Sequence, residues 1–322
     1  MLLTLTSNEE IMKDILVTGG AGFIGSSLVK ELVKSGNNVT IFDNLSTGSL
    51  RNLKEIIQDI DFIQGDIKNL DLVKNAVRKK EIIYHFAAEV GVDRVLKKDN
   101  DVCETDYLAA VDLFELSSKS GIELLIFASS SEVYGKFPQD RLPMKEADRF
   151  TPDTIYGWAK YGAEMRLKEM SEKTGMAGIS LRYFNVYGPR QTLNGYCVPS
   201  FVDFCLKNED IAIHGDGSQT RDLTYLDDAV RMTLAVADPK YRSEVFNIGT
   251  KKEVTMMNLA SMIQKLSESK SSIKFIEPRR PTDLYHKMGD ATKILDITGI
   301  KAEVGLTEGL TNCIEYCRKH PL

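Results

Sequence analysis

Histidine and cysteine are scarce in this chain, and neither is spaced to hold a metal. The four histidines (His85, His214, His286, His320) lie far apart. The five cysteines (Cys103, Cys197, Cys205, Cys313, Cys317) include no C-x-x-C pair. No metal site is therefore expected. The odd, scattered set argues for free thiols in a reducing compartment rather than a disulfide framework. Cys313 and Cys317 are expected as neighbours on one face of the last helix. Long apolar runs are missing too, and nothing reaches the roughly 18 residues of a membrane span. The opening MLLTLTSNEEIMKD lacks a basic n-region and meets acids early, a poor signal peptide. A cytoplasmic protein without a membrane partner is expected. Basic excess is also lacking: 41 Lys and Arg against 46 Asp and Glu give a net charge of -5. That leaves no sequence-wide footprint for nucleic acid, while a local basic pocket for a small anion stays open.

What the chain does have is alternation. Its 322 residues are 43% hydrophobic and 27% charged, enough to bury one large α/β core or two smaller ones. Strand-like runs are read at 15–18, 39–43, 62–66, 82–86 and 124–128, with helices at 23–34, 70–79 and 109–118 between them. Runs such as IIYHF and LLIFA suit strands buried on both faces. The pattern predicts an α/β fold, a doubly wound Rossmann parallel sheet over residues 1–182. Beyond Arg182 it loosens, and residues 183–322 read as a smaller C-terminal α/β substrate-binding domain. A buried strand near 244–250 is expected to rejoin the main sheet. There is no internal repeat or low-complexity tract.

The stretch ILVTGGAGFIGSSLVKEL sets Gly19, Gly22 and Gly25 between a strand and a helix. Glycines there permit a tight turn, a close approach to pyrophosphate and helix-on-strand packing. The helix then directs N–H groups and its dipole at phosphate. Asp43 ends the second strand, near the offset of about 20 residues at which an acid accepts hydrogen bonds from a ribose and repels a 2′-phosphate. NAD is thus favoured over NADP. The plainer reading of Asp43 is a strand-end turn residue next to Asn44.

Further along, ASSSEVYG is followed by TIYGWAKYGAE, with Tyr156 and Lys160 on one helix face. The ammonium is expected to lower the phenol's pKa, so that the phenolate takes a proton from an alcohol as hydride leaves the same carbon. Ser130 is placed to hydrogen-bond the reacting hydroxyl, with Ser129 or Ser131 as alternatives. Tyr134 reads as structural.

Taken in order, TGGAGFIGS, Asp43, Gly65-Asp66-Ile67, HFAAEV, SSSEVYG, YGWAK, LRYFNVYGPR, GDGSQTRDLTYLDDA, FNIGT and PRRPTDL resemble the extended short-chain dehydrogenase/reductase superfamily, in its NAD-dependent nucleotide-sugar epimerase/dehydratase family. The resemblance spans nearly the whole chain and is closest to UDP-glucose 4-epimerases. It implies that Phe23 and Ile24 belong to the cofactor turn and that Asp66 and Ile67 hold the adenine. By the same resemblance, Phe86, Ala87 and Ala88 line the cofactor cleft. Asn185 would approach the diphosphate of a nucleotide sugar, most simply a UDP-sugar, and Arg221 with one of Arg279 or Arg280 would clamp it, a task suited to the guanidinium fork. Each arginine also has the plainer reading of a surface ion pair. A homodimer is implied, through helices that include the one carrying Tyr156.

The first chemical step expected is oxidation of the sugar to a 4-keto form. A 4-epimerase needs no further acid or base. A 4,6-dehydratase needs an acidic pair, and here those positions are Ser131 and Glu132, so only half is present. Glu132 also matches the S-E-V-Y-G of uronic acid decarboxylases, whereas Tyr-Gly-Trp-Ala-Lys and PRRPTDL match epimerases better. Glu132 could instead bind a substrate hydroxyl or cap a turn. Val90 stands where many 4-epimerases carry a lysine, and Asp106 where they carry an asparagine. Lys287 falls where a Tyr or Cys borders the sugar; it is expected as a solvated loop lysine, with an acidic sugar as the sharper alternative. The lead reading is a UDP-hexose 4-epimerase that recycles its NAD. The alternatives are a lyase (UDP-glucuronate decarboxylase or 4,6-dehydratase) and a catalytically silent NAD-binding protein, which intact Tyr156 and Lys160 argue against.

Overall fold

The computed structural model describes residues 12–91, 98–148, 151–279 and 285–320. Its first strands, β1 (Asp14–Thr18), β2 (Asn38–Asp43) and β3 (Ile60–Gln64), alternate with α1 (Phe23–Lys34) and lead to α2 (Leu70–Val77). β4 (Ile82–His85) follows, then a composite helix, α3, built of Asp99–Val102, a π-helical Cys103–Ala109 and Ala110–Lys119. β5 (Leu124–Ser130), α4 (Ile155–Lys173) and β6 (Ala177–Tyr183) complete this half. Strand limits differ by one or two residues from the pattern-based ones, because pairing with a neighbour rather than apolarity fixes where a strand ends.

The sheet is parallel throughout, in the order β10-β6-β5-β4-β1-β2-β3. Reversal of strand order at β1 and β4 leaves a crevice at the strands' carboxyl ends, where doubly wound sheets bind ligands. The continuous apolar runs have a simple cause. Ile15 and Val17 of β1, with Leu124 and Ile126 of β5, face one core layered under α1. Leu16, Leu125 and Phe127 face the other, covered by α2, α3 and α4. A period of two puts alternate residues on opposite faces, and both faces are dry. Each such side chain contributes about 1.5–3 kcal/mol on burial.

A smaller α/β unit follows. β7 (Asn185–Tyr187), α5 (Cys197–Lys207), β8 (Ile211–His214), β9 (Thr220–Tyr225) and α6 (Leu226–Ala235) lead to β10 (Val245–Ile248), which pairs with β6 in the main sheet. Then come β11 (Glu253–Thr255), α7 (Met256–Ser267), β12 (Ile273–Ile276), α8 (Thr292–Thr298) and α9 (Leu306–Lys319). β11, β9 and β7 form one small sheet, β12 and β8 another. α5, α7 and α9 share a third core that includes Cys313 and Cys317. Among the described residues, no helix is long and apolar enough to cross a membrane.

Candidate active site

A cleft of about 750 Å³ runs along the carboxyl ends of the main strands and against the smaller unit. Gly19, Gly22, Phe23, Ile24 and Gly25 line one end, with Asp43, Asn44, Ile67, Phe86, Ala87 and Ala88. Asp66 stands just behind this wall, its carboxylate taking the Lys68 N–H at 2.9 Å and the Asn44 amide at 3.2 Å.

These residues fit a dinucleotide. Gly19 has φ +69°, and a Cβ there would come within 2.6 Å of the Phe86 carbonyl carbon. Helix α1 has Gly22 at its N-cap, no side-chain cap and no acid in its first turn, so its leading N–H groups are available to an anion. Asp43 is buried and accepts from Ala21 N at 3.0 Å and Leu45 N at 2.8 Å. It therefore does organise the turn, and its two oxygens keep acceptor capacity for hydroxyls.

At the centre, Ser130, Glu132, Tyr156 and Lys160 come together. Thr154 caps α4 by accepting from Gly157 N at 3.0 Å, which fixes the helix start and hence the direction of Tyr156. Ser130 hydrogen-bonds the Tyr156 side chain and accepts from Glu132 N at 3.2 Å. Ser129 is committed elsewhere, donating to Glu164. Tyr134 is buried, between Arg182 and Asn247, as its structural reading requires.

Beneath the site lies a buried clamp. Arg182 of β6 reaches Glu164 of α4 through Nε at 3.0 Å and Nη2 at 2.8 Å. Burial alone disfavours the guanidinium charge, but the Glu164 carboxylate outweighs it and holds Arg182 above its usual range.

One sequence expectation is corrected here, that of Lys287, and the surroundings of Lys160 hold a partner not seen in the sequence. Lys160 stands near the Tyr156 ring, its Nζ 5.7 Å from the ring centroid. Its Nζ lies 3.0 Å from Asp106 Oδ1, so its charge is balanced within a fully buried pair. Burial, then Asp106, Tyr196 and Glu132, push Tyr156 well above the ordinary tyrosine value, and the Ser130 hydrogen bond acts the other way. Lys287, expected in solvent, is 3% exposed, and its Nζ meets Glu132 Oε1 at 2.6 Å. Its polar sequence neighbours concealed a partner far away in the chain.

At the other end, Asn185, Arg221 and Arg279 line the cleft. Asn185 Oδ1 is buried with no hydrogen-bond partner among the described residues, which suits contact with a ligand. Arg221 is braced through Nη1 on the Thr220 and Tyr285 carbonyls, both at 2.7 Å. Arg280 lies outside the described residues. Arg190 was not singled out from sequence: it lines the cleft, reaches Ser27 at 2.6 Å, and keeps Nε buried without a hydrogen-bond partner among the described residues. Its only signal was its place in VYGPR. No group of metal-ligating side chains occurs among the described residues.

Comparison with known proteins agrees with this geometry. The family model of the NAD dependent epimerase/dehydratase family matches residues 15–249. A UDP-N-acetyl-alpha-D-glucosaminuronate decarboxylase of Bacillus cytotoxicus is 33% identical over 323 residues, covering 95% of this chain and 98% of the relative. A putative UDP-glucose 4-epimerase of Methanocaldococcus jannaschii is 33% identical over 310 residues, covering 95% and 99%. The crystal structure of UDP-glucose 4-epimerase with UDP-glucose from Thermotoga maritima superposes with a TM-score of 0.89 at 33% identity, covering 95% of this chain and 99% of that one. With the match spanning most of the chain, and with the parallel sheet, glycine turn and Tyr156–Lys160 helix in place, the protein belongs to the NAD dependent epimerase/dehydratase family and uses NAD.

Proposed function

We propose that this chain is a nucleotide-sugar 4-epimerase acting on a UDP-hexose or a derivative. The observation that carries the reading is the meeting of Ser130, Tyr156 and Lys160 midway along one cleft, between the glycine turn and Asn185, Arg221 and Arg279. Gly19, Gly22, Phe23, Ile24, Gly25, Asp43, Asn44, Asp66, Ile67, Phe86, Ala87 and Ala88 hold the cofactor, and Asn185, Arg221 and Arg279 hold the diphosphate. When bound, NAD supplies a reversible hydride acceptor. Ser130 orients the sugar's 4-hydroxyl, and Tyr156 takes its proton and later returns it. Epimerisation asks nothing more of the protein than room for the keto sugar to turn over.

Glu132 is compatible with this choice: its carboxylate is engaged by Lys287 at 2.6 Å instead of standing free as an acid for loss of water. One observation favours a second reading, decarboxylation of a UDP-linked uronate: Lys287 is a buried cation immediately behind Glu132, and a carboxylated sugar that displaced Glu132 would meet it. Incubation with UDP-glucose, UDP-N-acetylglucosamine and UDP-glucuronate, followed by mass and NMR, separates the two. Unchanged mass with C4 inverted is expected; loss of CO₂ or water would overturn the epimerase reading.

The reading divides the chain near residue 182, the first part serving NAD and residues 183–322 mainly the sugar nucleotide. It includes a homodimer, supported by exposed Tyr107, Leu108, Trp158 and Met165 on neighbouring helices α3 and α4. Five free cysteines are consistent with work in the cytoplasm.

A further inference from the structure

One buried ion pair is left over once the proposed chemistry is assigned. Asp106 sits in the π-helical segment of α3, Cys103–Ala109, where the helix is locally widened against α4. Its carboxylate is fully buried. Oδ1 lies 3.0 Å from Lys160 Nζ, and Oδ2 accepts the backbone N–H of Glu89 at 3.1 Å. Glu89 belongs to the loop after β4 that lines the cofactor end of the cleft. One carboxylate thus ties the lysine of α4 to the cofactor-facing loop.

We propose that Asp106 is a positioning residue: by pairing with Lys160 it holds back conversion of the Tyr156 phenol to a base, so this site works at higher pH than one with an uncharged amide there. The proposal rests on the reading of Tyr156 as the base. Among the described residues, the titratable groups that face the pair come from several elements. Lys160 and Tyr156 come from α4, His85 from β4, Glu89 from the following loop, Glu132 from the segment after β5, and Tyr196 from the loop before α5. His85 does not compensate: burial first, then Lys160, push its imidazole down to about 3, so it is neutral where the enzyme works. Among the described residues Lys160 is the nearby cation, and Asp106 balances it. Removing that anion from a dry site makes proton loss by the phenol easier, by on the order of one pH unit for charges several ångströms apart.

The pH dependence follows in sign. With Asp106 present the phenol keeps its proton to higher pH, so the acid limb of turnover lies further toward alkali. Asp106→Asn keeps the shape and one acceptor oxygen for the Glu89 N–H, and removes the charge together with the second acceptor that faces Lys160.

The test uses the NAD-loaded enzyme, with Tyr156→Phe to identify the signal. Ultraviolet difference absorbance of tyrosinate is followed as pH rises, which requires no turnover, and the acid limb of kcat is followed by product NMR. In Asp106→Asn the Tyr156-dependent titration is expected to move toward acid by about one pH unit, with the acid limb moving alongside. A titration that stays put or moves toward alkali overturns the proposal. If Asp106→Asn fails to fold, Asp106→Ser, which also removes the charge, carries the test: its Tyr156-dependent titration must move toward acid, and one that stays put or moves toward alkali overturns the proposal. Absence of product from all three UDP-sugars would sink the catalytic reading alone, since the absorbance titration still decides the role of Asp106.

Discussion

Glu164→Gln is the most informative single change away from the chemistry. Glu164 and Arg182 are buried, with side chains 3% and 4% exposed, and they share a two-pronged contact that also receives Ser129. The amide keeps the shape and one acceptor but leaves the Arg182 guanidinium uncompensated in a dry layer. Breaking a buried pair from one side costs about 3–5 kcal/mol. For a chain of this size the unfolding entropy converts that to a fall in Tm of about 4–7 °C. The loss should also reach the site, because the pair anchors α4 below Tyr156 and Lys160 and fixes Ser129 next to Ser130. Calorimetry of Glu164→Gln would read the first effect and kcat the second. The double variant Glu164→Met, Arg182→Met should recover at least half of the lost Tm, since no orphan charge remains. A single variant within 1 °C of wild type, roughly the experimental scatter, would refute the reasoning about the clamp.

Three shorter predictions follow. Gly25→Ala should purify with at least about tenfold less NAD, because its Cβ would run into the Gly19 carbonyl oxygen and lie 3.0 Å from Gly20 Cα; cofactor release measured at full stoichiometry would contradict this. Ser130→Ala should lower kcat by about 10², while Ser129→Ala should mainly lower Tm by disturbing Glu164; equal kinetic losses would show that the serines are misassigned. Tyr156→Phe should retain NAD and lose turnover, and near-normal kinetics would dismiss Tyr156 as the base.

Much of the fold was legible because it is written locally. The run ILVT, the glycines after it and the amphipathic stretch beyond are neighbours in the chain, and their periodicity identifies β1, the turn and α1. Tyr156 and Lys160 were legible for the same reason, being one helical turn apart. The charge state around them was not. Lys160 reads as an activating cation until Asp106 arrives from another helix, and Lys287 reads as solvated until Glu132 meets it across 155 residues. Pairings at such distances leave no trace in spacing, since any of the chain's carboxylates is an equal candidate. Arg190 was hidden differently: it was in plain view beside a turn, but its unpartnered Nε is a property of burial.

The return of β10 to the edge of β6 also bears on how the protein is made. The chain leaves the main sheet after Tyr183, builds much of the smaller unit, and comes back at Val245. Until that residue has emerged from the ribosome, β6 is an open strand edge with unpaired backbone groups, the kind of edge that recruits other chains. The last ladder of the sheet is therefore a long-range pairing, slow to close and costly in loop entropy. Truncations between Tyr183 and Val245 should leave a sheet that aggregates rather than an independently folded dinucleotide domain, and any ribosome-bound intermediate of this length is a natural client for chaperones.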